Sequence, residues 1–389
     1  MPRGRKPKSL FALAIAYCLL LLLASCKREL ASSGSENCYQ EEVFSFTTKD
    51  GNHLLTGTLT LPRQFNASQK ALILVTPPGA YSQSYEGLYT ALAEVLLEKG
   101  IAVLTYNPRH VGDTTIAVQS VTVFDQADDA ESAYVALKED GRFGLVGLLG
   151  HSEGGNAVAI AAAGNKDIPF VVLLSPLGVS GVEFQLMQVQ YRLKKMGEFV
   201  QLTQGNTPDS LQDKLIYNQM GKIHHIIANN DDVGTAFSLI KSQQEQFYHQ
   251  YHQQYPSLFG TAPIELRNQM DSSNFLTPHS MALIQYRPEL YYPHISCPVL
   301  AMFGKMDEVV FWEENAKGIE NLFNVSEKQN YTLIALDSID HNYRKATDSL
   351  SRLLPPGIVH YSQEALEQQR NNFDTPAFSA IAKWVNEVQ

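Results

Sequence analysis

Cysteine is scarce in this sequence: there are four in 389 residues, at positions 18, 26, 38 and 297. A disulfide framework is therefore excluded as the basis of the fold. Charged residues are also few, at 18%, and the 30 basic side chains are outnumbered by 40 acidic ones, for a formal charge of −10. The chain has no basic field with which to hold nucleic acid or any other anionic polymer. The apolar run from Leu10 to Ala24 stops short of the roughly 20 residues that cross a bilayer as a helix. What remains is ordinary globular material. Apolar residues make up 44%, and 25 Gly and 18 Pro are spread along the chain, which is enough for a sizeable core.

Arg3, Arg5, Lys6 and Lys8 precede that apolar run and no acid accompanies them, the arrangement of a secretory signal peptide. The run ends in Leu23-Ala24-Ser25-Cys26, which resembles the lipobox of bacterial lipoproteins. The resemblance implies cleavage after Ser25, lipidation of Cys26 and anchoring to a membrane of a bacterial envelope. Lys27 in place of an aspartate implies the outer rather than the inner membrane. Residues 1–25 are then a signal peptide and 26–42 a polar tether. Cys38 lies in the tether and Cys297 at the entry to an apolar strand, so a disulfide between them competes with a buried free Cys297, the favoured reading.

Apolar runs recur at 71–76, 101–106, 145–149, 170–174, 299–303 and 331–336. Such runs read as buried parallel strands. Between or after them, segments 85–99, 123–138, 154–163, 313–323 and 376–388 have helical spacing or Ala-rich composition. The segments 43–47 and 54–61 alternate apolar with polar residues around Asp50-Gly51-Asn52 and read as an antiparallel hairpin. The predicted fold is α/β, a mostly parallel sheet between helical layers. The rhythm breaks at 178–290, rich in Gln, His, Tyr and Met, which predicts a mainly helical lid inserted between core segments 43–177 and 291–389, over the carboxyl edge of the sheet where such folds bind ligands.

The strand at 145–149 runs into Gly150-His151-Ser152-Glu153-Gly154-Gly155 and then a helix-forming Asn156-Ala157-Val158. In strand, turn, helix context this G-x-S-x-G pattern places Ser152 on a tight turn that exposes its hydroxyl. A serine needs a base, and the base an acid to orient it. Asp307 follows the strand at 299–303, and His341 follows the strand at 331–336, so both stand at carboxyl ends of core strands. Asp337 and Asp340 are nearby carboxylates, but Asp340 adjoins His341 and is badly placed to meet its ring. A developing oxyanion needs donors. The amide of Glu153 is one. After the strand at 71–76, Pro77 and Pro78 have no N–H, so Gly79 and Ala80 are the first possible donors, with Ala80 preferred.

Together these residues resemble a serine hydrolase of the α/β-hydrolase superfamily, in its branch of bacterial carboxylesterases with a helical lid. The similarity extends over about residues 43–388 and includes Cys297-Pro298-Val299-Leu300 and Gly304 before Asp307. It implies hydrolysis of short acyl esters by Ser152, Asp307 and His341, a small-molecule ester as partner, and no metal or organic cofactor. Departures occur at Asn107, where the branch has an acid, and at His110, where it has a glycine; Arg109 and Gly112 are kept. Pro77-Pro78 departs from the usual His-Gly opening.

Two rival functions stay open. An amide-cleaving, aminopeptidase-like relative would need a lid acid such as Glu183, Glu198 or Asp271, and a non-catalytic binding lipoprotein would leave the triad unused. His249 and His252 have metal-ligand spacing but no third ligand near, and the adjacent His224 and His225 point apart on a helix. The lid residues Phe184, Met187, Tyr191, Met196, Phe199, Phe247, Tyr248 and Tyr251 divide between lining an acyl pocket and forming the lid's own core.

Overall fold

The computed structural model describes residues 39–66, 69–205, 209–259, 275–346 and 372–389. The expected signal peptide, Cys18, Cys26 and Cys38 lie outside the described residues. An eight-stranded sheet runs in the order β1-β2-β4-β3-β5-β6-β7-β8. The strands are β1 (Gln40–Thr47), β2 (Leu54–Leu61), β3 (Lys70–Val75), β4 (Ala102–Tyr106), β5 (Leu145–His151), β6 (Val171–Leu174), β7 (Val299–Gly304) and β8 (Tyr331–Leu336). β1 and β2 form the expected hairpin and β2 pairs antiparallel with β4, while the remaining pairs are parallel. β1 begins at Gln40, so the last residues assigned to the tether already belong to the sheet.

Alternation along the central strands sorts side chains onto two apolar faces. In β3, Ala71, Ile73 and Val75 join one cluster and Leu72 and Leu74 the other. The first face is covered by α2 (Val123–Glu139), α3 (Glu153–Gly164) and α8 (Trp312–Val325), and the second by α1 (Leu88–Glu98) and α9 (Thr375–Glu387). Helix starts follow from capping chemistry. Thr122 accepts from the Asp125 amide while Asp125 returns a bond to the Thr122 amide, and Ser180 and Glu183 do the same.

Between β6 and β7 lie the helices α4 (Gly181–Gln204), α5 (Ser210–Ala228), α6 (Val233–Tyr251) and α7 (Pro278–Ile284). They share a small core of their own, including Val182, Ile223, Ile227, Ala236, Ile240 and Ile284. The chain enters this segment through a buried stretch whose amides must find acceptors. Leu177 N–H donates to Asn156 Oδ1 and Gly178 N–H to Asn315 Oδ1, at 2.8 and 2.9 Å. Here Gly178 and Gly318 allow two backbones to touch. A Cβ on Gly318 would stand 2.1 Å from the Gly178 oxygen.

This contact predicts an inverted sign. Glycine to alanine inside a helix ordinarily stabilises by about 1 kcal/mol, yet Gly318→Ala should destabilise by about 1–3 kcal/mol through overpacking. Gly164→Ala, with nothing within 4 Å of its Cβ, should show no such loss. Urea unfolding of both variants checks this, and a stabilised Gly318→Ala would refute it.

Candidate active site

Ser152 joins β5 to α3 with φ 55° and ψ −126°, a conformation that costs a residue with a side chain of order 1–3 kcal/mol. The turn that demands it is packed backbone on backbone. A Cβ on Gly150 would lie 2.1 Å from the Gly154 oxygen, and one on Gly154 would lie 2.4 Å from the Val75 oxygen. Both motif glycines are therefore required by contact, and the serine side chain is left partly exposed.

Asp307 and His341 meet as expected. The Asp307 side chain is buried, and its two oxygens have separate duties. Oδ1 accepts the amides of Val309 and Val310, each at 2.8 Å, and Oδ2 faces His341 Nδ1 at 2.8 Å. Burial would push this carboxyl up, but the facing His341 and the two amides outweigh it and hold the group below its ordinary range. The loops that carry the pair are tied together, with Met306 N–H donating to the Ile339 oxygen at 2.9 Å and Lys305 N–H to the Leu336 oxygen at 2.9 Å. The rival carboxylates are engaged elsewhere. Asp337 is exposed and pairs with Lys305 at 2.8 Å. Asp340 Oδ1 accepts the amides of Asn342 and Arg344. Among the described residues Ser152 Oγ has no hydrogen-bond partner, so His341 is joined to its acid and not to the serine.

Glu153 heads α3, where the intrahelical ladder supplies no acceptor for its amide. The expected second donor is differently placed, because Ala80 N–H donates to the Pro77 oxygen at 3.1 Å and closes a turn. An incoming oxyanion would compete with Pro77 for it, and Gly79 is the other donor of this loop. Asn107 Oδ1 accepts the Gln83 amide at 2.9 Å beyond the same loop. Arg109 forks onto Asp129 at 2.6 Å and Asp125 at 2.8 Å. His110 is half-buried, with neither ring nitrogen hydrogen-bonded. Burial lowers its pKa, and the Ala80 carbonyl, near but outside hydrogen-bonding geometry, opposes that shift.

A cavity of about 1150 Å³ opens beside Glu153, the residue after the serine, with Pro77, Gly79, Ala80, Tyr85 and His279 also in its wall; Ser152 and His341 are not among its lining residues. His279, from α7, is the contribution of the lid among the described residues. Its Nε2 lies 3.0 Å from Glu153 Oε2, a contact no periodicity or motif announced. The lid aromatics pack instead. Phe184 lies against the main core, Tyr191 meets Phe311 at a tilt with centroids 5.5 Å apart, and Tyr248 stacks on His252 at 4.5 Å. Glu183 is used as a helix cap and Glu198 sits near Lys194 and Lys195; Asp271 lies outside the described residues. Cys297 is a buried free thiol, pushed up to about 11 by burial. Among the described residues no group of three His, Cys, Asp or Glu comes together as a metal site, and no helix is long and apolar enough to cross a membrane.

The sequence profile of the alpha/beta hydrolase fold family matches residues 73–332, and the chain belongs to that family. Among solved structures it is similar to DcsB in complex with its substrate analogue, with 15% identity and a TM-score of 0.50 over 90% of this chain and 100% of that one. It is also similar to Est1E from Butyrivibrio proteoclasticus, with 16% identity and a TM-score of 0.46 over 89% and 98% of the two chains. The esterase Pf2001 of Pyrococcus furiosus gives 16% and 0.46 over 81% and 87%. Likeness at such identities concerns the fold alone. No curated protein sequence matches the chain.

The Glu153–His279 contact makes a prediction about pH. The facing carboxylate raises the His279 pKa, against an opposing effect of burial. A raised folded-state value means that the contact stabilises fully below the ordinary histidine value of about 6.5 and fades as pH rises through the raised one. The Tm deficit of His279→Gln should therefore be largest near about pH 5.5 and shrink toward about pH 9. A deficit that is constant across that range would show that the charge of the pair is irrelevant.

Proposed function

We propose that the chain is a serine carboxylesterase that hydrolyses short-chain or small acyl esters. The observation that carries the reading is the 2.8 Å pairing of His341 Nδ1 with Asp307, on loops beside a serine held in the strained turn between β5 and α3. In this reading Ser152 Oγ attacks the ester carbonyl while His341 Nε2 takes its proton. Asp307, kept ionised by its two amide bonds and by His341, holds the imidazole with Nδ1–H toward the acid. The oxyanion receives the Glu153 amide and the Gly79–Ala80 loop, with Ala80 exchanging its bond to Pro77. His341 then returns the proton to the leaving alkoxide, and water repeats the cycle on the acyl-enzyme. The serine must swing into contact with His341, a closure of the kind catalytic hydrogen bonds undergo when substrate binds.

The same reading makes the protein a lipoprotein of a bacterial envelope, held through Cys26 to the outer rather than the inner membrane. The support is Leu23-Ala24-Ser25-Cys26 followed by Lys27, with the basic and apolar stretch before it. Among the acids that an amide-cleaving alternative requires, Glu183 and Glu198 are engaged in a cap and in lysine contacts, so the ester reading stands ahead.

Ser152→Ala should fold normally and lose both the acyl-enzyme burst with an activated ester and labelling by a fluorophosphonate. Asp307→Asn should keep the fold and lower kcat by on the order of 10³- to 10⁴-fold, because the imidazole loses its orienting charge. A burst that persists in Ser152→Ala would overturn the assignment.

A further inference from the structure

His151, the residue before the proposed nucleophile, is fully buried and touches Tyr85, Tyr89, His341 and Tyr343. Its backbone N–H donates to the Tyr89 hydroxyl at 3.1 Å, and that hydroxyl donates to the Val75 oxygen at 2.6 Å. The turn carrying Ser152 is thereby fastened to the end of β3, from which the oxyanion loop departs. Its ring lies 4.7 Å, centroid to centroid, from the His341 ring. Nε2 is 2.7 Å from the His341 carbonyl oxygen and Nδ1 is 3.2 Å from the Tyr85 hydroxyl.

These contacts fix the ring's protonation. Burial first, and the neighbouring His341 ring second, push His151 down to about 3, against weaker opposing pulls from the hydrogen bond to the His341 backbone and from Asp307. The imidazole is neutral at any working pH and carries one ring proton. A carbonyl only accepts, so the proton is on Nε2 and is donated to His341. Nδ1 is bare and accepts the Tyr85 hydroxyl proton. A neutral ring also adds no charge against the imidazolium that His341 becomes during turnover.

We propose that His151 is a positioning residue for the reaction: by clamping the main chain of His341 to the turn that carries Ser152, it sets the distance between base and nucleophile. The inference rests on the esterase reading for its effect on rate. Asp307 fixes the ring of His341 from one side, and the bonds that brace its loop run within the loop, to the Asp307 loop and to β7, while the His151 ring ties it to the strand that leads into Ser152. The Nε2–H bond supplies that tie. Tyr85 acts one step further out, holding the His151 tautomer that can donate.

The experiment compares His151→Gln, whose amide nitrogen can stand near the Nε2 position and donate, with His151→Leu, which fills space and cannot. His151→Leu should lower kcat and the rate of Ser152 labelling by about 10- to 100-fold with little change in KM, the loss expected from about 1 Å of misplacement. His151→Gln should recover most of it, and Tyr85→Phe should fall between the two. If the Gln and Leu variants lose activity equally at matched Tm, or if His151→Leu keeps the parental kcat, the ring is packing only and the proposal fails. Ring-nitrogen NMR of ¹⁵N-histidine protein supplies a readout that does not depend on catalysis. A neutral Nε2–H signal for His151 persisting to about pH 4 is expected. Protonation near about pH 6, or an Nδ1–H tautomer, overturns the clamp whether or not the protein is an esterase. A correct NMR signal in a parent chain that a fluorophosphonate does not label would instead sink the esterase reading.

Discussion

Ser152 sits at a φ of 55°, and the rest of the site depends on how that strained turn is kept in place. The conformation has no favourable local energy of its own. It persists because β5 and α3 are each fixed by burial, the strand between β3 and β6 in the sheet and the helix by Ala157, Val158, Ala159 and Ala161 against the core. With both ends immobile, the single-residue connection at Ser152 has one route left. That route brings Gly150 against Gly154 and Gly154 against Val75, where no Cβ fits. The sheet's apolar packing is thus converted into an exposed hydroxyl at a defined point, with the Glu153 amide beside it.

Parallel topology explains why the partners of that hydroxyl arrive at the same edge. β5, β7 and β8 point the same way, so Ser152, Asp307 and His341 all follow carboxyl ends of strands. Proximity alone would not yield a usable acid. Asp307 is buried, and burial on its own favours the neutral carboxyl. The amides of Val309 and Val310 reverse that outcome by occupying one oxygen, which leaves the other to meet His341 while charged. Asp340 has a similar pair of amide bonds but holds them on its own loop, and its carboxyl is raised by burial. The two carboxylates differ in that Asp307 keeps one oxygen for His341, whereas the hydrogen bonds of the Asp340 carboxylate are taken up by amides of its own loop.

The strands and the main helices were legible in the sequence because buried parallel strands are continuous apolar runs and their helices carry spacing or Ala-rich signals. Ser152, Asp307 and His341 were legible for the same reason, each being fixed by the strand it follows. The less legible parts are those that hydrogen bonds between distant segments decide. Ala80 reads as a free donor by counting N–H groups after two prolines, but the turn it closes onto Pro77 depends on backbone angles that the residue types leave open. His279 follows a proline in a segment without strand rhythm, and nothing local marks it as the partner of Glu153. His151 occupies a variable position of the motif, so its ring attracts notice only when Tyr85 and the His341 carbonyl are seen on either side.

The lid is coupled to this edge at few points, and their chemistry differs from that of the core. Gly178 fastens its beginning to Asn315 by backbone contact, and Gly181 packs against Leu283 within the lid itself, where no change of charge can loosen either contact. His279 touches the residue after the serine through a part-buried, titratable pair, a contact that a change of pH can weaken. The lid has a core of its own that includes Val182, Ile223, Ile227 and Ile240, but Ala282 of α7 belongs to the main core and Phe184 packs against it, so the helix that carries His279 is held from both sides. The polar contacts of the lid with this edge, His279 with Glu153 and the Gln188 side chain with the Glu308 and Val309 carbonyls, are therefore carried on helices that apolar packing has already fixed, and it is this packing that decides where the lid's polar side chains stand relative to Ser152 and Asp307.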